Sequence, residues 1–265
     1  MRETMRLPLY QVDAFTGRVF AGNPAAVCPL ERWLDEATMQ AIAAENNLSE
    51  TAFFVRAEGG YDIRWFTPLQ EMDLCGHATL ASGFVVFHHL DPAARAVTFR
   101  SRSGPLEVTR DGERLGLDFP ARPPSACPRP AAIDQALGLP PREVLRARDY
   151  LSVFESEAEV RALAPRMEQV AALDALGVIV TAPGRDADFV SRFFAPRAGV
   201  PEDPVTGSAH CTLIPYWAAR LGRKKLHALQ VSRRGGELWC EDRGERVLIA
   251  GRAVRYLEGA IEVGP

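Results

Sequence analysis

Residues 77–90 constrain this chain more than any other stretch. The segment carries Ala78, Leu80, Ala81, Phe84, Val85, Val86 and Phe87 and is apolar almost all the way round a helix. An ordinary surface helix shows one apolar stripe, so a helix of this kind has to be enclosed on most sides. The rest of the fold must therefore wrap around it. Residues 209–221 pose the same demand a second time, with Pro215 inside the segment.

The two segments are entered in the same way. Before the first stand Arg64-Trp-Phe-Thr-Pro68, a short loop with an acidic residue, and Gly76-His-Ala-Thr-Leu80. Before the second stand Arg192-Phe-Phe-Ala-Pro196, another short acidic loop, and Gly207-Ser-Ala-His210. Each unit is followed by several short alternating strands. A strand–Pro–acidic loop–Gly–helix unit that occurs twice predicts two structurally equivalent domains. The proline-dense segment 120–130 cannot sit inside a helix or a sheet and reads as the linker between them. The expected boundaries are 1–119 for an N-terminal domain and 131–265 for a C-terminal one, whose last strands can cross back to the first.

The remaining pattern is mixed. Strands are expected at 9–15, 25–27, 51–55 and 61–66, then at 97–100, 106–110 and 115–119. A helix is expected over 35–45 with Asp35 as its N-cap, and shorter helices over 133–137 and 157–163. Further strands fall at 177–181, 189–194, 226–231, 237–240, 246–249 and 253–257. A length of 265 residues accommodates one large or two small domains.

Charge narrows the partners. With 31 Lys and Arg against 34 Asp and Glu the net charge is −3, so no basic field exists to attract nucleic acid or an anionic membrane. The cluster Arg223-Lys224-Lys225 is too short to change this. No apolar stretch reaches the length of a membrane span, and residues 1–6 lack the apolar core of a signal peptide. Five widely separated cysteines fit a reducing cytoplasm better than a disulfide framework.

A helix start offers unpaired N–H groups and partial positive charge. Gly76 and Gly207 would let an anion approach these groups closely, and a small carboxylate fits them better than a nucleotide because no P-loop or dinucleotide pattern is present. On the residues alone, each glycine reads first as the residue of a tight turn. The polar side chains nearby are Cys75, His77, Asp203, Thr206, Ser208 and His210. Glu50, at the mouth of a strand, is suited to proton transfer if it is shielded from water and otherwise is a solvated turn residue. Asp203, Ser208 and His210 contain the residue types of a hydrolase triad, but Ser208 lacks a nucleophile elbow. Cys75 and His77 are two residues apart, and on a helix such residues do not face each other, so no direct pairing is expected. Cys75, His77, His88 and His89 lack the ligand spacing of a zinc site, and Cys28, Cys127 and Cys240 read as inert.

Four segments, Gly22-Asn-Pro-Ala-Ala-Val27, Asn46-Asn-Leu-Ser-Glu-Thr-Ala-Phe53, Cys75-Gly-His-Ala-Thr-Leu80 and Glu202-Asp-Pro-Val-Thr-Gly-Ser-Ala-His210, resemble the PhzF family of phenazine-biosynthesis-like isomerases. Gln230-Val-Ser-Arg-Arg-Gly-Gly-Glu-Leu238 fits the same pattern. The resemblance implies an α+β, diaminopimelate-epimerase-like fold, in which each of two domains wraps a mixed sheet around a central helix and the active site lies between them. It further implies an isomerase without metal or organic cofactor, acting on a small carboxylate or amino-acid-like substrate, often as a homodimer. Matched position by position, Glu50 is the acid–base glutamate, and His77 and Asp203 contact the substrate. Gly76, Gly207 and Ser208 bind its carboxylate, and Ser49 orients Glu50. Related epimerases use two thiols. Here Cys75 stands at one such position and no cysteine precedes Gly207, so a small-residue packing role is expected for Cys75. A two-base racemase using Cys75, or a non-catalytic binder on the same scaffold, are the competing readings.

Overall fold

The computed structural model describes residues 4–264. The signal-peptide reading of residues 1–6 therefore falls partly outside the described residues. The chain divides after Asp118 and again after Ile249. The segment up to Asp118 and the segment from Ala250 form one unit, and Phe119–Ile249 forms the other.

The first unit begins with β1 (Met5–Ala14), β2 (Asn23–Leu30), α1 (Glu36–Asn46), β3 (Glu50–Ala57), β4 (Gly60–Phe66) and β5 (Glu71–Met72). The central helix α2 (Gly76–Val85) follows and runs into a π-helical turn at Val86–Leu90. β6 (Ala96–Ser101), β7 (Gly104–Asp111) and β8 (Arg114–Pro120) complete the run. β1 pairs antiparallel with β2, β2 parallel with β3, and β3 antiparallel with β4. β4 pairs antiparallel with β5 and parallel with β6, which pairs antiparallel with β7. The C-terminal strand, Ala253–Val263, runs antiparallel along the whole of β1.

The second unit contains β9 (Ser125–Ala126), α3 (Ile133–Leu137), β10 (Glu143–Arg146), β11 (Tyr150–Val153), α4 (Glu157–Ala162) and α5 (Met167–Ala171). β12 (Val178–Pro183), β13 (Phe189–Ala195) and β14 (Val200–Asp203) precede its central helix α6 (Gly207–Leu221). β15 (Lys225–Gln230), β16 (Gly236–Asp242) and β17 (Arg246–Gly251) follow, and the C-terminal strand is β18. The pairing order repeats that of the first unit. β10 is antiparallel to β11, β11 parallel to β12, and β12 antiparallel to β13. β13 is antiparallel to β14 and parallel to β15, which is antiparallel to β16.

The repeat extends to single side chains. Arg64 on β4 grips Glu71 on β5 through Nε and Nη2 at 2.6 and 2.7 Å. Arg192 on β13 grips Glu202 on β14 in the same bidentate way at 2.7 and 3.0 Å. Each guanidinium also lies over the phenylalanine two residues on, 5.1 Å from the Phe66 centroid and 4.8 Å from that of Phe194. A planar fork satisfies a carboxylate and an aromatic face together, which a lysine cannot do.

Both central helices are enclosed, as their composition demands. In α2 all residues but Gly76 and Phe84 are buried. Its polar side chains turn back onto the helix: Thr79 Oγ1 donates to Cys75 O at 2.6 Å and Ser82 Oγ to Ala78 O at 2.8 Å. A Cβ on Gly83 would lie 2.7 Å from Val108 Cγ1, so glycine is what lets the helix approach β7. Gly22 is fixed for another reason. Its φ is +65° and a Cβ there would stand 2.1 Å from Ala14 O, a geometry closed to other residues.

Residues 250–264 belong to the first unit: the last strand, which the sequence allowed to cross back, finds its ladder partner in β1. One expectation is corrected: segment 120–130, expected to stay outside any sheet, pairs Ser125–Ala126 with Leu145–Arg146, and the N–H groups of Ala121 and Arg122 donate to Glu245 O and Cys211 O, both at 2.9 Å. Proline excludes only its own N–H from a ladder, so the residues between prolines can still pair.

Candidate functional site

In the first unit the site is built at the start of β3 and the start of α2. Glu50 is the first residue of β3, in parallel register with Ala25 of β2. Cys75 is the N-cap of α2, extended at φ −142° and ψ 110°, and Gly76 and His77 are the first residues of the helix. Glu50 Oε2 lies 3.1 Å from His77 Nε2. The two atoms form a buried ion pair, and neither has another hydrogen-bond partner. On the other side of the imidazole, Cys75 Sγ lies 3.6 Å from Nδ1.

This contact overturns the expected lack of pairing between Cys75 and His77. The rule that i and i+2 diverge holds inside a helix. Cys75 stands one residue outside it in extended backbone, which swings its side chain toward the ring. Burial raises the Cys75 thiol, and the Glu50 charge raises it further. Burial alone would lower the His77 pKa, but Cys75 and Glu50 outweigh it and hold it well above the ordinary value. Ser49 donates to Asn23 Oδ1 at 3.3 Å, and Asn23 is fully buried. Ser49 thus fixes the segment leading into Glu50 through Asn23.

Among the described residues, Glu50, Cys75 and His77 are the group of His, Cys, Asp or Glu placed to share a metal ion, with one ligand atom of each within 4.8 Å of the others. The fit is poor, because Glu50 and Cys75 approach opposite nitrogens of one ring and an ion binds only one. His88 and His89 lie elsewhere, His88 Nδ1 at 2.9 Å from Phe84 O and His89 Nδ1 at 3.8 Å from Glu258.

In the second unit, Asp203 ends β14 and Gly207 begins α6. Asp203 Oδ2 accepts from Thr206 Oγ1 at 2.5 Å. Gln230, almost fully buried, clamps this loop: its Nε2 donates to Asp203 O at 2.8 Å, and its Oε1 accepts from Thr206 N at 2.8 Å. The side chain of Thr206, the N-cap of α6, makes no cap bond to the helix, and a Cβ on Gly207 would meet nothing within 4 Å. The start of α6 is thus open to an approaching group. Ser208 Oγ accepts from Arg148 Nη2 at 3.1 Å. Arg148 is itself held on Asp149 Oδ2 at 3.1 and 3.0 Å, and Asp149 is buried with Oδ1 on Gly177 N.

No hydrolase triad forms. His210 is fully buried, and its Nδ1 is committed to Thr206 O at 2.8 Å. Burial pushes its pKa down to about 4, so the ring is neutral. All five cysteines are free, and burial pushes Cys28 up to about 12 and Cys211 up to about 11. No helix of the described residues is long and apolar enough to cross a membrane.

The sequence reading missed Arg148, Gln230 and Asn23 as site residues. Asn23 and Gln230 lie inside the segments that carry the family resemblance. Arg148 has no local signal, since its role depends on a contact 60 residues away.

A family model for phenazine biosynthesis-like proteins matches residues 12–259. The chain belongs to the PhzF family. It is 52% identical over 259 residues to an uncharacterised isomerase of Pseudomonas aeruginosa, covering 98% of this chain and 100% of that one. The crystal structure of a PhzF-family phenazine biosynthesis protein from Enterococcus faecalis superposes with a TM-score of 0.95 at 50% identity, over 97% of this chain and 99% of that one. A hydroxyproline epimerase from Agrobacterium vitis, at 12% identity and a TM-score of 0.60, covers 99% of this chain and 94% of that one and shares the fold alone. This PhzF-family chain is therefore an isomerase on an α+β, epimerase-like fold.

Proposed function

We propose that this PhzF-family isomerase moves a proton within a small carboxylate or amino-acid-like substrate, with Glu50 as the general acid–base group. The observation that carries the reading is the buried pair Glu50 Oε2 and His77 Nε2, 3.1 Å apart, neither atom with another hydrogen-bond partner. A carboxylate beside an imidazole, with no other groups competing for either, suits a carbon acid whose negative charge must be met as it forms. The N–H groups at Gly76 and at Gly207 are proposed to hold the substrate carboxylate, with Ser208 beside Gly207 and Asp203 binding polar substituents. The residues of the second unit enter through the family resemblance and through the open start of α6. The reaction is proposed to need no metal or organic cofactor, and the chain to act as a homodimer, both from the same resemblance.

The experiment is Glu50→Gln assayed with a turned-over substrate in deuterated water. Loss of turnover by about 10²–10⁴-fold together with loss of deuterium incorporation is expected. Unchanged turnover and exchange would remove Glu50 from the mechanism. Full activity in Cys75→Ala would exclude the two-base racemase reading.

A further inference from the structure

His77 is held between two groups, one at each ring nitrogen: Cys75 Sγ 3.6 Å from Nδ1, and Glu50 Oε2 3.1 Å from Nε2. In an imidazole the partner of one nitrogen decides what the other nitrogen can offer. We propose that Cys75 is a positioning residue of the Glu50 site, its sulfur partnering Nδ1 of His77 so that Nε2 carries a proton toward Glu50. The inference rests on the reading of Glu50 as the acid–base group.

The chemistry of the three groups supports this role. A thiol is both a weak donor and a weak acceptor. When His77 is protonated, Nδ1–H donates to the sulfur. When the ring is neutral, S–H donates to Nδ1, and the remaining ring proton stays on Nε2. A backbone carbonyl in the same place would favour the opposite neutral tautomer, as Thr206 O does for His210 in the second unit. Cys75 is buried and its thiol raised, so it stays protonated and serves in both states. The titratable groups that act on His77 are Cys75 at the helix start and Glu50 on β3. A cysteine that merely filled space would leave the imidazole indifferent to its replacement by alanine.

The test is the titration and tautomer state of His77, followed by ¹⁵N NMR in substrate-free wild-type, Cys75→Ala and Cys75→Ser proteins, with the pH dependence of kcat and KM alongside. In Cys75→Ala the His77 midpoint is expected to fall by about one pH unit as a buried Nδ1–H loses its partner. kcat is expected to fall about tenfold, with KM changed less than about twofold. Cys75→Ser, whose hydroxyl also donates and accepts, is expected to restore both. A Cys75→Ala protein that titrates like wild type overturns the proposal, and so does a Cys75→Ser protein that behaves like alanine. Should Cys75→Ala not fold, the wild-type spectrum decides: a neutral ring protonated at Nε2 supports the proposal, and one protonated at Nδ1 overturns it. The ring is read without substrate, so failure of the Glu50 assignment would show in turnover and not in this titration.

Discussion

The backbone N–H of Arg122 donates to the carbonyl of Cys211 at 2.9 Å. That carbonyl is the one Pro215, four residues on in α6, cannot serve, because proline has no N–H. The proline-dense segment thus supplies a donor that the helix lacks. Arg122→Pro deletes this N–H and Arg122→Ala keeps it. Arg122→Pro is expected to be less stable than Arg122→Ala by about 1–3 kcal/mol, the cost of a buried carbonyl left unpaired. Urea denaturation of the two variants measures the difference.

The repeated ion pairs differ in what else they hold. Arg192 Nη1 also donates to Val160 O and Leu163 O, at 3.1 and 2.9 Å, near the end of α4. The further acidic partner of Arg64 is the exposed Glu36. Arg192→Met is therefore expected to cost about 3 kcal/mol and Arg64→Met about 1–2 kcal/mol. Thermal unfolding of the two variants should place the Arg192 variant lower, and the reverse order would show that the backbone contacts contribute little.

His210 sets an acid limit. Its folded pKa is about 4 against 6.5 unexposed to the fold. Between those values the unfolded chain binds the extra proton, so stability falls as pH drops from about 6.5 to about 4 and this contribution is flat outside that window. The full loss is about 3 kcal/mol. His210→Gln, which does not titrate, is expected to flatten the slope of stability against pH across this window. An unchanged slope would exclude His210 as its source.

Arg148 presents a guanidinium beside Ser208 at the open start of α6. If that start holds the substrate carboxylate, Arg148→Ala raises KM by about tenfold and leaves kcat within about twofold, since it removes binding common to ground and transition states. Arg148→Lys does not restore KM, because an ammonium cannot span Asp149 and Ser208 as a planar fork does. Steady-state kinetics on both variants checks this, and an unchanged KM would count against Arg148.

Much of the secondary structure was legible locally. The N-cap at Asp35 is a local contact, accepting from the N–H and hydroxyl of Thr38 at 2.9 and 2.8 Å. β10, β11 and β14 were not legible, since each spans four residues and lacks a full alternating period. β18 runs to Val263, beyond the expected end at 257, because its register is written in β1 at the other end of the chain. At the site, Glu50 and His77 were identified through the family motifs. The Cys75 contact was misjudged because it depends on whether residue 75 lies inside or just outside α2, and helix ends shift by a residue or two on local signals alone.

The sequence by itself determined that two apolar helices had to be enclosed, that the enclosing unit occurs twice, and which family motifs carry the candidate chemistry. Those features are local composition and periodicity, which short-range physics reads directly. Only the tertiary structure decided that the last strand returns to β1, that Arg122 serves the α6 carbonyl that Pro215 cannot, and that Cys75 and Glu50 flank one imidazole from opposite sides. Each of these is a contact set by distance and orientation after folding, and neither composition nor spacing specifies it.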